Sequence, residues 1–226
     1  MSKLSKWIRS TKLYLWNKKY PNLKSKIFYF DEIIRVLYCK NILSNKVNII
    51  GNPVIRNPVI FKGKGKFMFG ENVHFGGDTS PNFYVPSYIE SRNSESVIKF
   101  GNNIFSNNNL TIIAEGLADN GGVVIGNDVL LGFNVTIVDS NFHDLNPVKR
   151  LATTEWGGVI KTSRVEIEEN CWIGSNSLIL KGVKLGKNTI VGAGSVVTKS
   201  FPKNVIVAGN PAKIVGTLNE YFETKE

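Results

Sequence analysis

Residues 167–202 read IEENCW-IGSNSL-ILKGVK-LGKNTI-VGAGSV-VTKSFP, six consecutive groups of six residues. The first position of every group is aliphatic: Ile167, Ile173, Ile179, Leu185, Val191 and Val197. The fourth position is Asn or Gly in five of the six groups. Both residue types tolerate the positive φ that tight turns require. A period of six fits neither the α-helix nor the alternation of a strand. It predicts a short strand and a turn, repeated, with one aliphatic side chain per group pointing into a narrow interior.

The same phase continues towards the N-terminus with less regularity. Apolar residues six apart occur at Ile125, Leu131 and Ile137 and at Phe69 and Phe75, with a weaker set at Phe100, Ser106 and Ile112. Successive coils of such a chain hydrogen-bond like parallel strands, about 4.8 Å apart, and each coil is stable because its neighbours cover it. The predicted fold class is therefore an all-β solenoid.

The first 45 residues follow a different pattern. Apolar residues at helical spacing, from Leu4 through Trp7 and Ile8 to Leu15, indicate an amphipathic helix, and a second helix is predicted from Asp31 to Leu43. We divide the chain into three parts by these patterns. They are an N-terminal basic helical segment (1–45), a solenoid domain (46–208) with a loop at 139–164, and a C-terminal tail (209–226) with a short helix.

The positive charge is concentrated in the N-terminal segment. Residues 1–40 contain ten Lys or Arg and two acidic residues, a net charge of +8 out of +10 for the whole chain. Such a segment favours an anionic partner, either a membrane surface or a polyanionic glycan, and we expect no nucleic acid. The helix of residues 4–15 has two open interpretations. It either caps the open end of the solenoid or anchors the protein at a membrane surface.

Composition excludes several classes. The start of the chain lacks the continuous apolar run of a signal peptide, and the most apolar stretch, residues 27–43, is broken by charges. Cys39 and Cys171 form no CxxC motif, so a reducing cytoplasm is expected, with a peripheral position at the inner membrane face as the alternative. Two histidines without clustered cysteines predict no zinc site, and there is no P-loop.

One of the two histidines lies in a polar loop, IVDSNFHDLNP (residues 137–147), directly after a group of regularly spaced aliphatics. Imidazole titrates near neutral pH, so His143 can act as a general base. Alternatively, it is a surface residue bonded to Asp139 or Asp144. The other histidine, His74, occupies a solenoid position and is interpreted as structural.

Residues 98–215, and above all CWIGSNSLILKGVKLGKNTIVGAGSVVTKSFPKNVIVAGNPAKIV (171–215), resemble the hexapeptide-repeat acyltransferases. The nearest branch is similar to the maltose/galactoside O-acetyltransferases and to the capsule and O-antigen polysaccharide O-acetyltransferases. The resemblance implies a left-handed parallel β-helix, a hand that the usual crossover rule does not predict. It also implies a homotrimer, acetyl-CoA as donor, and active sites between subunits.

The resemblance assigns roles at the acceptor side of the site. His143 matches the family's catalytic histidine. Glu115, at the end of NNNLTIIAE, matches an acid near the acceptor and would orient His143, with Asp139 as the alternative. Asn107 and Trp172 would contact the acceptor sugar, and Trp156 lies in an extra loop that would reshape the acceptor pocket.

The resemblance also predicts a cofactor slot. Its residues are Ser175, Gly192, Ala193, Thr198, Lys199 and Lys213. The backbone N–H of Ser175 would lie beside the thioester, the small residues would line the pantetheine path, and the lysines would meet phosphates. A further basic position of the family falls on Gly216 here, which weakens that grip.

Together these features predict an acetyl-CoA-dependent O-acetyltransferase for a sugar hydroxyl of a bacterial surface polysaccharide or its precursor, with no metal. One alternative is an N-acetyltransferase of an amino-sugar nucleotide or antibiotic, which would depend less on a base. Another is a non-catalytic solenoid that binds glycan or membrane.

Overall fold

The computed structural model describes residues 23–45, 47–77, 80–81, 84–117, 120–151 and 160–223. The predicted helix of residues 4–15 and the side chain of Trp156 lie outside these ranges. Among the described residues, no helix is long and apolar enough to cross a membrane.

In the part of the chain that the structure describes, twenty strands form three sheets, and the order of the first eighteen along the chain repeats every three strands. The strands are β1 Asn48–Ile50, β2 Val54–Ile55, β3 Val59–Gly63, β4 Lys66–Phe69, β5 Val73–Phe75, β6 Ser87–Ser91, β7 Val97–Phe100, β8 Ile104–Ser106, β9 Thr111–Ala114, β10 Val123–Ile125, β11 Leu130–Leu131, β12 Thr136–Val138, β13 Val165–Ile167, β14 Trp172–Ile173, β15 Leu178–Ile179, β16 Lys184–Leu185, β17 Ile190–Val191, β18 Val196–Val197, β19 Val205–Gly209 and β20 Ala212–Thr217.

Each coil contributes one strand to each sheet. Sheet A has the order β1-β4-β7-β10-β13-β16, sheet B β2-β5-β8-β11-β14-β17-β19-β20, and sheet C β3-β6-β9-β12-β15-β18. Strands of successive coils pair in parallel, and the hairpin of β19 and β20 is antiparallel. The chain is thus a three-sided parallel β-helix, and the solenoid predicted from the period of six is confirmed.

The first residues of the six-residue groups stack on one another inside the prism. In sheet A, Ile167 lies in register with Leu185, and in sheet C, Ile179 lies in register with Val197. These side chains are at most 1% exposed. Burial of one aliphatic side chain contributes about 1.5–3 kcal/mol, so each added coil is held mainly by its stacked residues.

The turn prediction also holds at the fourth position of the groups. Asn170, Asn176 and Asn188 have φ values of 57°, 60° and 61°. Their side chains also join neighbouring coils, because Nδ2 of Asn170 donates to Oδ1 of Asn188 at 2.8 Å, and Nδ2 of Asn188 donates to Oδ1 of Asn204 at 2.6 Å. Asn therefore serves both the backbone conformation and the stacking of corners.

Three consecutive coils carry extra residues at the corner between sheets C and A. Ile167 and Leu185, in register on neighbouring coils, are 18 residues apart, whereas Ile125 and Ile167 are 42 apart, so the latter coil has 24 more residues. These extra residues follow β12, and shorter insertions follow β9 and β6. The three insertions therefore leave the prism one above another.

The described residues outside the strands include three α-helices, α1 Leu23–Tyr38, α2 Pro147–Leu151 and α3 Leu218–Glu223, with a π-helical turn at Cys39–Leu43. Glu32 and Val36 of helix α1 are buried, as is Cys39 at the start of the π-helical turn. Helix α1 begins eight residues before the predicted Asp31, because Lys24 and Lys26 do not interrupt a helix and the nearest breaker is Pro21. The chain after the π-helical turn is tied to the first coil, since the N–H of Phe61 donates to Ser44 Oγ at 2.9 Å.

Candidate functional site

The three insertions at the corner between sheets C and A enclose a cavity of about 680 Å³. It is lined by Arg92, Ile113, Glu115, Asn141, Phe142, His143 and Ile160. Arg92 follows β6, Glu115 follows β9, and the remaining loop residues follow β12 or precede β13. Two of the sequence-predicted site residues, His143 and Glu115, thus come together from different coils.

The loop that carries His143 has a paired base. Ser140 and Thr162 form an antiparallel bridge, the N–H of Asn141 donates to Lys161 O at 3.2 Å, and the N–H of Ser163 donates to Asp139 O at 2.8 Å. His143 lies three residues beyond this bridge and is exposed. The solenoid therefore presents the imidazole on a short, hydrogen-bonded stalk.

Asp139 is fully buried, and its carboxylate accepts three backbone N–H groups. Oδ1 accepts from Glu115 at 2.8 Å, and Oδ2 accepts from Gly116 at 3.0 Å and from Gly122 at 2.6 Å. Such charge-assisted bonds offset the cost of burying a carboxylate. Asp139 therefore joins the insertion after β9 to the base of the His143 loop.

Glu115 connects all three insertions. Its Oε2 accepts a hydrogen bond from Ser140 Oγ at 2.9 Å and pairs with Arg92 Nη1 at 3.4 Å. Ser140 Oγ in turn accepts the N–H of Phe142 at 2.8 Å. The side chain of Glu115 is 15% exposed and lines the same cavity as His143.

Phe142 has an unusual backbone conformation, with φ at 61°. In the described part of the chain, ten non-glycine residues have positive φ, and the other nine are Asn or Asp. The left-handed conformation costs an aromatic residue about 1–2 kcal/mol. Phe142, directly before His143, is therefore held in a backbone conformation that phenylalanine disfavours.

Trp172 and Asn107 lie on other parts of the prism. Trp172 is 53% exposed on the outer surface of sheet B, in register with Leu130 and Ile190. Asn107 directly follows β8, between sheets B and C, where its Oδ1 accepts the N–H of Asn108 at 3.1 Å. Within one chain, neither residue lines the cavity of His143.

The predicted cofactor residues fall into two groups and one separate residue. Ser175, Gly192 and Ala193 lie at the corner between sheets B and C, where the N–H of Gly194 donates to Ser175 O at 2.8 Å. A Cβ at Gly192 would lie 3.0 Å from Cβ of Ala208, so a larger residue there would crowd the last coil.

Thr198 and Lys199 are exposed and follow β18, at the corner between sheets C and A. Lys213 is exposed on β20, in register with Ala208. One chain therefore does not bring all six predicted cofactor residues to one place.

Arg92, Ser140 and Phe142 were not predicted from the sequence as site residues. Ser140 and Phe142 belong to the quoted loop, and their proximity to His143 was a usable signal. Arg92 lies 51 residues from His143 in the sequence. Only the stacking of insertions on consecutive coils brings Arg92 to the cavity.

His74 and Cys171 lie outside the cavity of His143, among residues of the prism. Nε2 of His74 lies 2.6 Å from Asn72 Oδ1, and burial, with a smaller contribution from Arg56, lowers the pKa of His74. Burial raises the pKa of the Cys171 thiol to about 11. Among the described residues there is no group of three or more His, Cys, Asp or Glu side chains that could hold a metal ion.

Comparisons with known proteins agree with this architecture. A family model described as the hexapeptide repeat of succinyl-transferase matches residues 164–199. The protein provisionally named lipopolysaccharide biosynthesis O-acetyl transferase WbbJ, from Escherichia coli K12, is 30% identical over 189 residues, which are 82% of this chain and 88% of that one. The chain belongs to the hexapeptide-repeat acyltransferases.

Other members of this family match shorter parts. The galactoside O-acetyltransferase of Lactococcus lactis is 37% identical over 138 residues, or 61% of each chain. The enzyme of the same name from E. coli K12 is 35% identical over 125 residues, or 55% of this chain and 56% of that one. The match therefore spans about three fifths of the length of these relatives.

A solved galactoside acetyltransferase in complex with coenzyme A shares the fold. Its TM-score is 0.52 at 22% identity, over 86% of this chain and 82% of that one. The fold class expected from the resemblance, a left-handed parallel β-helix with helical additions, is confirmed.

Proposed function

We propose that this hexapeptide-repeat protein is an acetyl-CoA-dependent O-acetyltransferase, acting on a sugar hydroxyl of a bacterial surface polysaccharide or its precursor. The observation that carries the proposal is the placement of His143 on a paired stalk beside Glu115 in a cavity formed by three coils. The polysaccharide class is taken from the E. coli relative that covers most of the chain, whose name refers to lipopolysaccharide biosynthesis.

In the proposed reaction, the oxygen of the acceptor hydroxyl attacks the thioester carbonyl while His143 removes the hydroxyl proton. The carbon–sulfur bond then breaks, and the imidazolium returns the proton to the leaving thiolate. The backbone N–H of Ser175 is the proposed donor to the oxyanion. Correct base placement contributes about 10²- to 10⁴-fold in rate.

We assign the pantetheine path to the corner of Ser175, Gly192 and Ala193, where the small residues leave room for a chain to lie against the coils. Thr198, Lys199 and Lys213 are the proposed contacts of the distal, phosphate-bearing end, because exposed ammonium groups match its charge. These residues lie at more than one corner of the prism of a single chain. In the proposed trimer, a neighbouring subunit supplies the second corner of the cofactor site.

The outer surfaces of the sheets support a homotrimer. Sheet A carries charged outer residues, with Lys184 paired to Glu166 at 3.3 Å and to Glu168 at 2.9 Å. One outer row on each of sheets B and C carries no Lys, Arg, Asp or Glu over four neighbouring coils: Phe105, Leu130, Trp172 and Ile190 on sheet B, and Tyr88, Thr111, Thr136 and Leu178 on sheet C. The charged outer residues of sheet C, Lys62 and Glu90, lie in a different row. Packing of sheet C on sheet B of the next copy would bring Trp172 and Asn107 towards a neighbour's His143 loop.

The proposed location is the cytoplasm, with the basic segment of residues 1–40 available to an anionic membrane or glycan. The π-helical turn Cys39–Leu43 contacts β3 of the first coil, and Ser44 accepts the N–H of Phe61, which supports the interpretation of this segment as a cap. Deletion of residues 1–20 followed by co-sedimentation with anionic vesicles tests the membrane role, and unchanged partitioning would remove it.

The function is tested with the purified protein, acetyl-CoA and a panel of methyl glycosides and surface oligosaccharides, with thiol release and product mass as readouts. We expect transfer to a hydroxyl, with near-total loss in His143→Ala. Mild loss with transfer to an amine would favour an N-acetyltransferase. No binding of CoA in equilibrium dialysis at millimolar concentration would favour a non-catalytic solenoid.

A further inference from the structure

We propose that Arg92 is a positioning residue for His143 and acts through Phe142. The inference rests on the proposed role of His143 as the base. Arg92 follows the last strand of the second coil, whereas His143 belongs to the insertion after the fourth coil. The two residues line the same cavity.

The guanidinium of Arg92 is fixed by two carboxylates. Its Nε lies 3.2 Å from Glu90 Oε2, and its Nη1 lies 3.4 Å from Glu115 Oε2. The side chains of these glutamates are 17% and 15% exposed and that of Arg92 is 36% exposed, so water screens the pairs in part, and the two contacts act mainly by fixing the orientation of the guanidinium. A planar group held at two edges has a defined orientation, which a lysine ammonium would lack.

One face of this guanidinium covers the ring of Phe142, with Cζ 5.0 Å from the ring centroid. This distance is within the range of a cation–π contact. Arg92 therefore connects the second coil to Phe142, the residue that immediately precedes His143.

The backbone of Phe142 is held from the other side by the same cluster. Glu115 Oε2 accepts from Ser140 Oγ, and Ser140 Oγ accepts the N–H of Phe142. Phe142 is thus fixed at its ring by Arg92 and at its N–H by Ser140. We name Arg92, Glu115, Ser140 and Phe142 the latch.

The left-handed φ of Phe142 indicates what the latch does. A conformation that a residue disfavours persists only where its surroundings determine it. The backbone angles of Phe142 set the direction in which the chain enters His143. Release of the ring or of the N–H would therefore let residue 142 relax and turn the imidazole away from the cavity, although the stalk would remain paired.

The chain offers a direct readout, because it contains only two histidines, His143 and His74. In histidine-labelled protein, Arg92→Met and Phe142→Leu should shift and broaden the ring resonances of His143 and leave those of His74 in place. Arg56→Met is the matched control. It removes a charge that acts on His74, so it should move the His74 resonances and spare those of His143.

Unchanged His143 resonances in both Arg92→Met and Phe142→Leu would overturn the proposal. Thermal melting identifies a variant that fails to fold, and Arg92→Lys and Ser140→Ala then replace it, each removing one contact of the latch. These measurements need no acceptor. If the His143 resonances move as expected but His143→Ala retains transfer, the proposed base fails and the latch stands.

With an acceptor from the methyl glycoside panel, Arg92→Met should lower kcat by about 10- to 100-fold, because small displacements of a reacting group have effects of this size. The KM for acetyl-CoA should stay unchanged, and Arg92→Lys should restore only part of kcat. A rise in KM for the acceptor with kcat unchanged would instead make Arg92 an acceptor-binding residue and contradict the positioning role.

Discussion

The coils formed by residues 167–202 and the corner that carries the three insertions differ in how their residues match the backbone. In the regular coils, every group places an aliphatic residue inside, and in five of the six groups the turn residue has positive φ and is Asn or Gly. At the corner, a phenylalanine has positive φ, a carboxylate is fully buried, and a histidine is exposed. Sites that depart from local preference are expected where function constrains them.

The largest expected effect is on activity and comes from the corner. His143→Ala should lower kcat/KM for acetyl transfer by about 10²- to 10⁴-fold, because the base is lost. The side chain is exposed, so the melting temperature should stay near that of the wild type. A large loss of stability in this variant would contradict the difference between the two regions, because the corner would then contribute to the stability of the fold as well as to activity.

The reverse effect is expected from the regular coils. Ile179→Ala removes a fully buried side chain and should lower the free energy of unfolding by about 2–5 kcal/mol. Urea unfolding followed by circular dichroism measures it. Val148→Ala, at a residue that is 75% exposed on α2, is the matched control and should change stability by less than about 0.5 kcal/mol.

Asp139 should affect both properties, because it joins the corner to the prism. Asp139→Asn replaces an acceptor oxygen by an amide group, which leaves at least one buried N–H without an acceptor. Each orphaned group costs about 1–3 kcal/mol. We expect this loss in urea unfolding, together with faster hydrogen exchange of at least one of the Glu115, Gly116 and Gly122 amides. Unchanged exchange at all three amides would contradict the structural role of Asp139.

A smaller effect is expected at the regular turns. Asn188→Ala places a β-carbon at a φ of 61° and removes the side-chain bond to Asn204, so stability should fall by about 1–2 kcal/mol. Asn188→Gly keeps the conformation and should cost less. Equal losses in the two variants would mean that the side-chain ladder, and not the backbone conformation, determines the effect.

The smallest expected effect is the pH dependence of His74. Its pKa is lower in the folded state than the ordinary value of 6.5, so the unfolded chain binds the proton more readily. The free energy of unfolding should therefore fall as the pH decreases below 6.5 and level off below the folded pKa. His74→Gln should remove this part of the slope, and identical slopes in both proteins would contradict the pKa direction.

The comparison also explains what the sequence could predict. The six-residue repeat equals one side of the 18-residue coil and therefore reports the backbone directly, so the strands, the stacking and the Asn turns follow from residues 167–202. The hand of the helix does not follow from spacing, since both hands share the period of six, and only the family resemblance supplied it. Helix α1 was predicted too short, because charged residues at its start weaken an amphipathic pattern without breaking a helix.

The candidate site was only partly predictable for a related reason. The imidazole of His143 and the carboxylate of Glu115 could be singled out by chemistry and resemblance. The connection of Asp139 to backbone N–H groups, and of Arg92 to Phe142, depends on which insertions leave the same corner on consecutive coils. That information lies in the coil register and not in any local motif.

A crystal structure of the protein with bound CoA would show whether the corner of His143 is an active site. We expect a homotrimer in which the CoA sulfur lies within hydrogen-bond reach of the His143 imidazole, directly or through one water, with Trp172 of a neighbouring subunit facing the same cavity. A monomer, or a CoA sulfur bound away from the corner of sheets C and A, would contradict this expectation.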